Sequence, residues 1–324
     1  MSFSPRLALY ASAAVLATVA FAQAPSKPDS DAVKADIAKA EKAAGTMWAP
    51  EEKFFCGRPM GNRPDDPVFE PVKIFDNVYA IGRTGTATYA ITTSAGILLI
   101  DSGYAADTES ILLAGMKKLG LDPAQIKTVV ITHGHVDHFA GSPYLQEHYG
   151  ARVYISQPDW DLMEKPAAEG KKQKGPPPAL PKHDMVITEG QPIVLGDVKL
   201  TPIFIPGHTP GSMGFIFNVK DNGKTHVAAI FGGTMMGSVL NDSMEELETY
   251  KKSIAHFKAE TMKAKADVEI QNHPLYDNFQ DKIAKLKERK KGEPNPFVVG
   301  AANYQRFVDV MAYCLDAQID RRKE

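Results

Sequence analysis

The sequence predicts one α/β domain built as a four-layer αβ/βα sandwich, two sheets face to face with helices on both outer sides. Three observations predict it. From Val72 onward, short β-rich runs alternate with helical ones. No repeat of about 20 to 50 residues and no break in composition divides that stretch. A chain of 324 residues, 44% apolar and 23% charged, can bury a large core. Length alone would favour two domains. Two intimately packed sheets account for a single unit of about 280 residues instead.

Taken in order, the chain opens with MSFSPRLALYASAAVLATVAFAQAPSKP, which has one cation at Arg6, an uncharged run from Leu7 to Ala22, and overlapping small-x-small sites. That is the pattern of a secretory signal. Ala20-Phe21-Ala22 fits cleavage after Ala22, whereas cleavage after Ala24 would leave Pro25 at the scissile bond. The run is short and Ala-rich for an uncleaved spanning anchor. Residues 1–22 are therefore expected to be removed on export, leaving a periplasmic or secreted chain that makes no use of a membrane.

Residues 23–71 read as a leader helix, with Val33 and Ile37 at helical spacing, followed from Glu51 to Pro71 by an irregular Gly- and Pro-rich segment. Residues 72–324 read as the single main domain. Within it VKIFDNVYAIG, TYAITTS and GILLIDSG read as strands and DTESILLAGMKKLG as a helix; KTVVITHG returns to strand, SPYLQEHYG to helix and ARVYISQPDW to strand. EGKKQKGPPPALPKHD, with four prolines and four lysines, reads as a surface loop. Three strands follow in VKLTPIFIPGH, GSMGFIFNV and THVAAIFGGT. The longest helical pattern starts at Ser243, with Met244, Leu247, Tyr250, Ile254 and Phe257 three or four apart. ADVEIQNHP is a last strand before closing helices near 275–290 and 301–320.

Charge and cysteine count narrow the partners. A formal net charge of −2 leaves no cationic surplus for a phosphate backbone, which excludes nucleic acid. The two cysteines, Cys56 and Cys314, lie near opposite ends of the mature chain. In an oxidising compartment such thiols often pair. Sequence supplies no Cα separation, so a Cys56–Cys314 disulfide and two free thiols both stay open. Neither stands near other ligand types, which argues against a metal role for them.

The histidines carry the chemistry. Only nine occur, yet THGHVDH places His133, His135 and His138 together with Asp137 directly after an apolar strand. His208 in IFIPGHTPGS and His273 in VEIQNHPL recur in the same setting, where a strand ends at Gly or Pro. Adjacent strand ends would converge all six side chains on one edge of the sheets. Six donors suffice for two cations, each with three protein ligands and an open position. Imidazoles with one carboxylate and no thiolate suit Zn²⁺, with Fe or Mn as alternatives. His148, His183, His226 and His256 read as ordinary residues in polar loops or on helices.

THGHVDH resembles the His-x-His-x-Asp-His signature of the metallo-β-lactamase superfamily. The resemblance extends through GILLIDSG, PGHTPGS and NHP, roughly Val72 to Asp320. It implies the metallo-hydrolase fold, a first zinc on His133, His135 and His208, and a second on Asp137, His138 and His273. It also implies that Asp101 is a buried aspartate orienting the ligand loop, and that Asp137 both ligates and orients in catalysis.

Many superfamily members, glyoxalase II-like thioesterases and lactonases among them, bridge both metals with an aspartate after the strand that follows GHTPG. Here AAIFGGTMMGS puts Gly233 at that position and Thr234 next. Lack of the bridge is shared with true β-lactamases, and the ligand set is most similar to their third class B subclass. The resemblance thus implies an exported enzyme with two zinc ions that opens the β-lactam amide of a small-molecule substrate with a metal-bound hydroxide. Neither Ser-x-x-Lys nor Gly-x-Ser-x-Gly occurs, in keeping with a reaction that needs no protein nucleophile.

There are departures. Thr234 and Met236 stand where the subclass has serines that hold the substrate carboxylate. The threonine hydroxyl can still donate there, and the methionine cannot. The basic loop Lys171 to Lys182 stands where the resemblance implies a flap that could attract an anionic substrate; a solvated surface segment is the plainer reading. The same fold and metals would also serve another ester, lactone or amide. A non-catalytic metal-binding protein is disfavoured because every expected ligand is present.

Overall fold

The computed structural model describes residues 28–57, 66–165, 178–234 and 243–324. The expected signal at 1–22, Met236 and the lysines of the basic loop before Pro178 lie outside the described residues. Two helices, α1 (Asp31–Ala44) and α2 (Ala49–Cys56), precede the sandwich. The first sheet contains β1 (Val72–Phe75), β2 (Val78–Gly82), β3 (Ala87–Thr93), β4 (Gly96–Ile100), β5 (Ile126–Val130), β6 (Arg152–Ser156) and β7 (Met185–Ile187), in that spatial order. Between these strands run α3 (Ala114–Lys118), continuing a helical stretch from Thr108, then the single turn α4 (Val136–Phe139), α5 (Ser142–Tyr149) and α6 (Gln157–Glu164). The second sheet holds β8 (Ile193–Leu195), β9 (Val198–Phe204), β10 (Met213–Asp221), β11 (Lys224–Ile230) and β12 (Val268–Glu269). Helices α7 (Met244–Ala264), α8 (Phe279–Glu288) and α9 (Ala301–Lys323) complete the described chain.

Alternation along each strand separates the layers. In β4, Leu98 and Ile100 face the second sheet while Ile97 and Leu99 face the helices α3 and α5, so both faces are buried. In β10, Phe215 and Phe217 point into the space between the sheets, and Ile216 points outward to α7 and α9. Each fully buried Leu, Ile or Phe contributes about 1.5–3 kcal/mol of transfer free energy. The three resulting apolar clusters are the three interfaces of a four-layer αβ/βα sandwich.

Strand direction decides where a site can be. β4, β5 and β6 are parallel neighbours, as are β11 and β12. Asp101 follows β4, the 132–138 turn follows β5, Gly233 follows β11 and His273 follows β12. These carboxyl ends share one edge, the usual crevice of open α/β sheets.

Several local expectations are corrected. Part of the stretch expected to be irregular is α2: Pro50, Glu51 and Glu52 suit a helix first turn, and burial of Phe55 and Cys56 fixes it. The run ARVYISQPDW is strand only to Ser156; Pro158 opens α6, which buries Asp159 and Trp160. β7 and β8 have three residues each, too few to show a period. His226 lies on β11, buried, with Nδ1 2.7 Å from Asp267 Oδ2, not in a loop or on a helix. Cys56 of α2 is joined to Cys314 of α9 by a disulfide with a Cα separation of 4.5 Å. No helix among the described residues is long and apolar enough to cross a membrane.

Candidate metal centre

The site is built outward from Asp101. Its backbone sits at φ 60°, a conformation uncommon outside glycine, and its side chain is fully buried behind the ligand turn. Oδ1 accepts the Thr132 backbone N–H at 2.7 Å, and Oδ2 accepts the Thr132 hydroxyl at 2.9 Å and lies 2.7 Å from His138 Nδ1. With its proton given to Asp101, Thr132 Oγ1 accepts from Asn272 Nδ2 at 2.9 Å and from His133 Nδ1 at 3.1 Å. His273 Nδ1 donates to the Gly85 carbonyl at 2.5 Å. In His133, His138 and His273 these partners hold the proton on Nδ1 and turn Nε2 toward a common centre.

Two trios of donor nitrogens result. His208 Nε2 is 3.1 Å from His133 Nε2 and 3.0 Å from His135 Nδ1. His133, His138 and His273 form the other trio, with donor atoms all within 4.8 Å of one another. Asp137 Oδ2 lies 3.4 Å from His138 Nε2 and accepts the Thr86 hydroxyl at 3.2 Å. All six residues singled out in the sequence are thus brought together, with His133 between the two groups.

A divalent cation fits this arrangement. Converging imidazole lone pairs about 3 Å apart repel unless a proton or cation lies between them. His138 Nε2 is buried without a hydrogen-bond partner among the described residues, and an orphaned buried nitrogen is costly unless something binds it. Nitrogen and carboxylate donors without thiolate suit a zinc-type ion.

Electrostatics agree with that assignment. Burial, reinforced by neighbouring imidazoles, pushes His133 and His208 well below the usual histidine range. Burial alone would lower His138 too, but the carboxylates of Asp137 and Asp101 outweigh it and raise it to about 10. Burial would raise Asp137, yet the facing His138 holds it far below the ordinary carboxylate range. Without metal, therefore, His133 and His208 are neutral imidazoles, while His138 holds its proton between the carboxylates of Asp137 and Asp101.

Asp159 locks the loops in place. Its Oδ2 accepts from the Gly134 N–H and the Thr209 hydroxyl, both at 2.7 Å, and Oδ1 accepts the Gly211 N–H at 2.8 Å. One buried carboxylate thus holds the loop of His133 and His135 to the loop of His208. Tyr250 and Ser253 of α7 add hydrogen bonds to the carbonyls of Gly233 and Pro206, at 2.7 and 2.6 Å.

Gly233 lies directly against the first trio. A Cβ there would stand 2.8 Å from His208 Cβ, so the backbone leaves no room for a bridging carboxylate. Thr234 differs from expectation. Its hydroxyl is fully buried and directed at Gln271 Oε1 and the Phe231 carbonyl, 2.8 Å away for the latter. It does not reach into the cleft, because Gln271 is itself fixed by Glu269 at 2.8 Å. The sequence reading also missed Thr132, Asn272, Thr86 and Asp159. The first two adjoin the ligand histidines, a signal that could have found them; Thr86 and Asp159 carry no local mark.

Comparison with known proteins agrees with this geometry. Residues 81–221 match the family described as the metallo-beta-lactamase superfamily. Among curated relatives, an atrochrysone carboxyl ACP thioesterase of Aspergillus fumigatus is 26% identical over 223 residues, 68% of this chain and 61% of its own. A hydroxyacylglutathione hydrolase of Haemophilus influenzae is 28% identical over 141 residues, 42% of this chain and 62% of its own. The chain spans about three fifths of the length of these relatives. Among solved structures, a subclass B3 metallo-beta-lactamase of Bradyrhizobium japonicum superposes with a TM-score of 0.64 at 28% identity, covering 79% of this chain and 93% of that one. The metallo-beta-lactamase of Legionella gormanii gives 0.66 at 24% identity over 81% and 99%, which speaks to fold alone.

Proposed function

Because the chain carries a metallo-beta-lactamase superfamily domain, we propose that it is an exported, divalent-metal-dependent hydrolase that opens the amide bond of β-lactams. The observation that carries this reading is the crowding at Gly233. Superfamily hydrolases of thioesters and lactones place a bridging aspartate there, and here His208 occupies the space such a side chain would need. Export rests on the pattern of residues 1–22.

His133, His135 and His208 would hold one cation, and Asp137, His138 and His273 the other. When bound, ions of this type polarise a scissile carbonyl and bring the pKa of water toward neutrality. The chain's own residues supply the orientation. Asp101, Thr132 and the Gly85 carbonyl fix which nitrogen of His138, His133 and His273 is free. Asp137 stays ionised beside His138. Thr234, with its hydroxyl engaged by Gln271, is not a donor for a substrate carboxylate.

The test is turnover of a chromogenic cephalosporin, a penicillin and a carbapenem by zinc-loaded protein, alongside thioester and lactone substrates. Lactam opening that a chelator abolishes and added Zn²⁺ restores is the expected result. Activity confined to thioesters or lactones would replace this reading with a second one, favoured by the names of the two curated relatives.

A further inference from the structure

We propose that Thr86 is a positioning residue for the second cation, acting through a four-residue turn that holds two ligands from distant parts of the chain at once. The inference rests on the reading of the imidazole cluster as a two-cation centre. Residues 83–86 connect β2 to β3, and two polar groups of this turn face the second trio. The Thr86 hydroxyl donates to Asp137 Oδ2 at 3.2 Å, and the Gly85 carbonyl accepts from His273 Nδ1 at 2.5 Å. Thr86 is buried, so its hydroxyl has little water to exchange for that carboxylate.

The turn itself is held from several sides. Arg83 makes paired hydrogen bonds to Asp107 at 2.6 and 2.9 Å and a third to the Asp66 carbonyl at 3.1 Å. Asp66 Oδ1 accepts the Gly85 N–H at 2.6 Å, and the Arg83 N–H closes the turn on the Thr86 carbonyl at 2.8 Å. At its far end the Ala87 N–H donates to the carbonyl of Asn272, the residue before His273, at 2.9 Å. A side chain at position 85 would collide with Asp66, its Cβ falling 2.7 Å from Oδ1. The turn is therefore held as a bracket, and the Thr86 hydroxyl carries its hold to Asp137.

A ligating carboxylate that accepts a fixed hydrogen bond keeps one orientation, and losing such a supporting partner typically weakens metal binding about 10- to 100-fold. The contacts of Thr86 and Gly85 fall on Asp137 and His273, both assigned above to the second cation. Loss of the hydroxyl should therefore loosen one equivalent of cation and spare the other.

The experiment is a competition titration of the full chain with Zn²⁺ against a chromophoric chelator, for the wild type, Thr86→Val, Thr86→Ala and Thr86→Ser. The expected result is about 10- to 100-fold weaker binding of the second equivalent in Thr86→Val, the first equivalent unchanged, and the metal-free melting temperature retained. Thr86→Ala, which removes the hydroxyl without setting a methyl against the carboxylate, should show the same selective loss if Thr86→Val fails to fold. Thr86→Ser should bind both equivalents as the wild type does. Two normal equivalents in the hydroxyl-less variants would overturn the proposal, as would parallel weakening of both with a lowered melting temperature. A wild type that binds fewer than two equivalents would overturn the two-cation reading and this proposal together.

Discussion

Two buried polar clusters lie near each other in this molecule, and they solve the problem of buried charge in opposite ways. At the sheet edge, five imidazoles converge their donor atoms beside Asp137, and His138 Nε2 has no hydrogen bond among the described residues. Around β12 and α8, the buried Lys282 brings its own cation. Its Nζ lies 2.5 Å from Glu269 Oε2 and 3.3 Å from Asp277 Oδ2, and sits over the rings of Trp48 and Phe297 at 5.6 and 5.3 Å. The first cluster converges donors on a cation from solution; in the second the cation is the chain's own Lys282. Burial of ionisable groups alone does not mark a functional site, and the distinguishing feature is ring nitrogens that converge on one another, with those of His208, His133 and His135 about 3 Å apart.

The sharpest way to break that contrast is His208→Ala. It should remove one equivalent of cation and abolish turnover, while the metal-free protein changes in stability by only about 1 kcal/mol, because the lost ring nitrogen faces other imidazoles. Equilibrium unfolding beside metal analysis would check both halves. Retained turnover would take His208 out of the ligand set.

Lys282→Met should behave in the opposite way. It leaves the carboxylate of Glu269 buried without its cation, a loss of about 3–5 kcal/mol. Denaturant titration would measure it. A stability unchanged by this substitution would mean that the cluster is not held by its internal ion pairs.

A smaller effect sharpens the closed cluster at its rim. Glu51 is buried, neither of its carboxylate oxygens has a hydrogen-bond partner among the described residues, and burial raises it from 4.5 to about 7. Glu269 and Asp281 add to the rise, and Lys282 opposes it. A carboxyl raised in the folded state favours folding while protonated. Its contribution is full below the unfolded value near 4.5 and is lost as pH climbs through about 7. Glu51→Gln should therefore match the wild type in thermal melts near pH 4 and exceed it increasingly up to pH 8, by on the order of 3 kcal/mol. A difference that is flat with pH would place the ionisation elsewhere.

What the sequence made legible follows from the range of each interaction. The strands and long helices were readable because alternation and helical spacing are local, as in the Leu98 and Ile100 face of β4 or the apolar face of α7. The ligand turn was readable because three histidines and an aspartate are packed into seven positions. His208 and His273 could be added because both close an apolar strand at Gly or Pro. Thr86, Asp159 and Lys282 left no such trace, since each acts on residues far along the chain, such as Asp137, Thr209 and Glu269. The direction of Thr234 was not legible because it depends on a neighbour distant in the chain, here Gln271 beyond β12.

Asp159 has a consequence for how the protein comes apart. The two loops it ties together descend from different sheets, one from β5 and the other from β9. The centre is thus assembled only while the two halves of the sandwich are docked in register. Any motion that slides one half over the other separates His208 from His133 and His135 before a single strand need be lost. Bound metal then serves as a gauge of inter-sheet alignment, and its release should precede the melting of secondary structure.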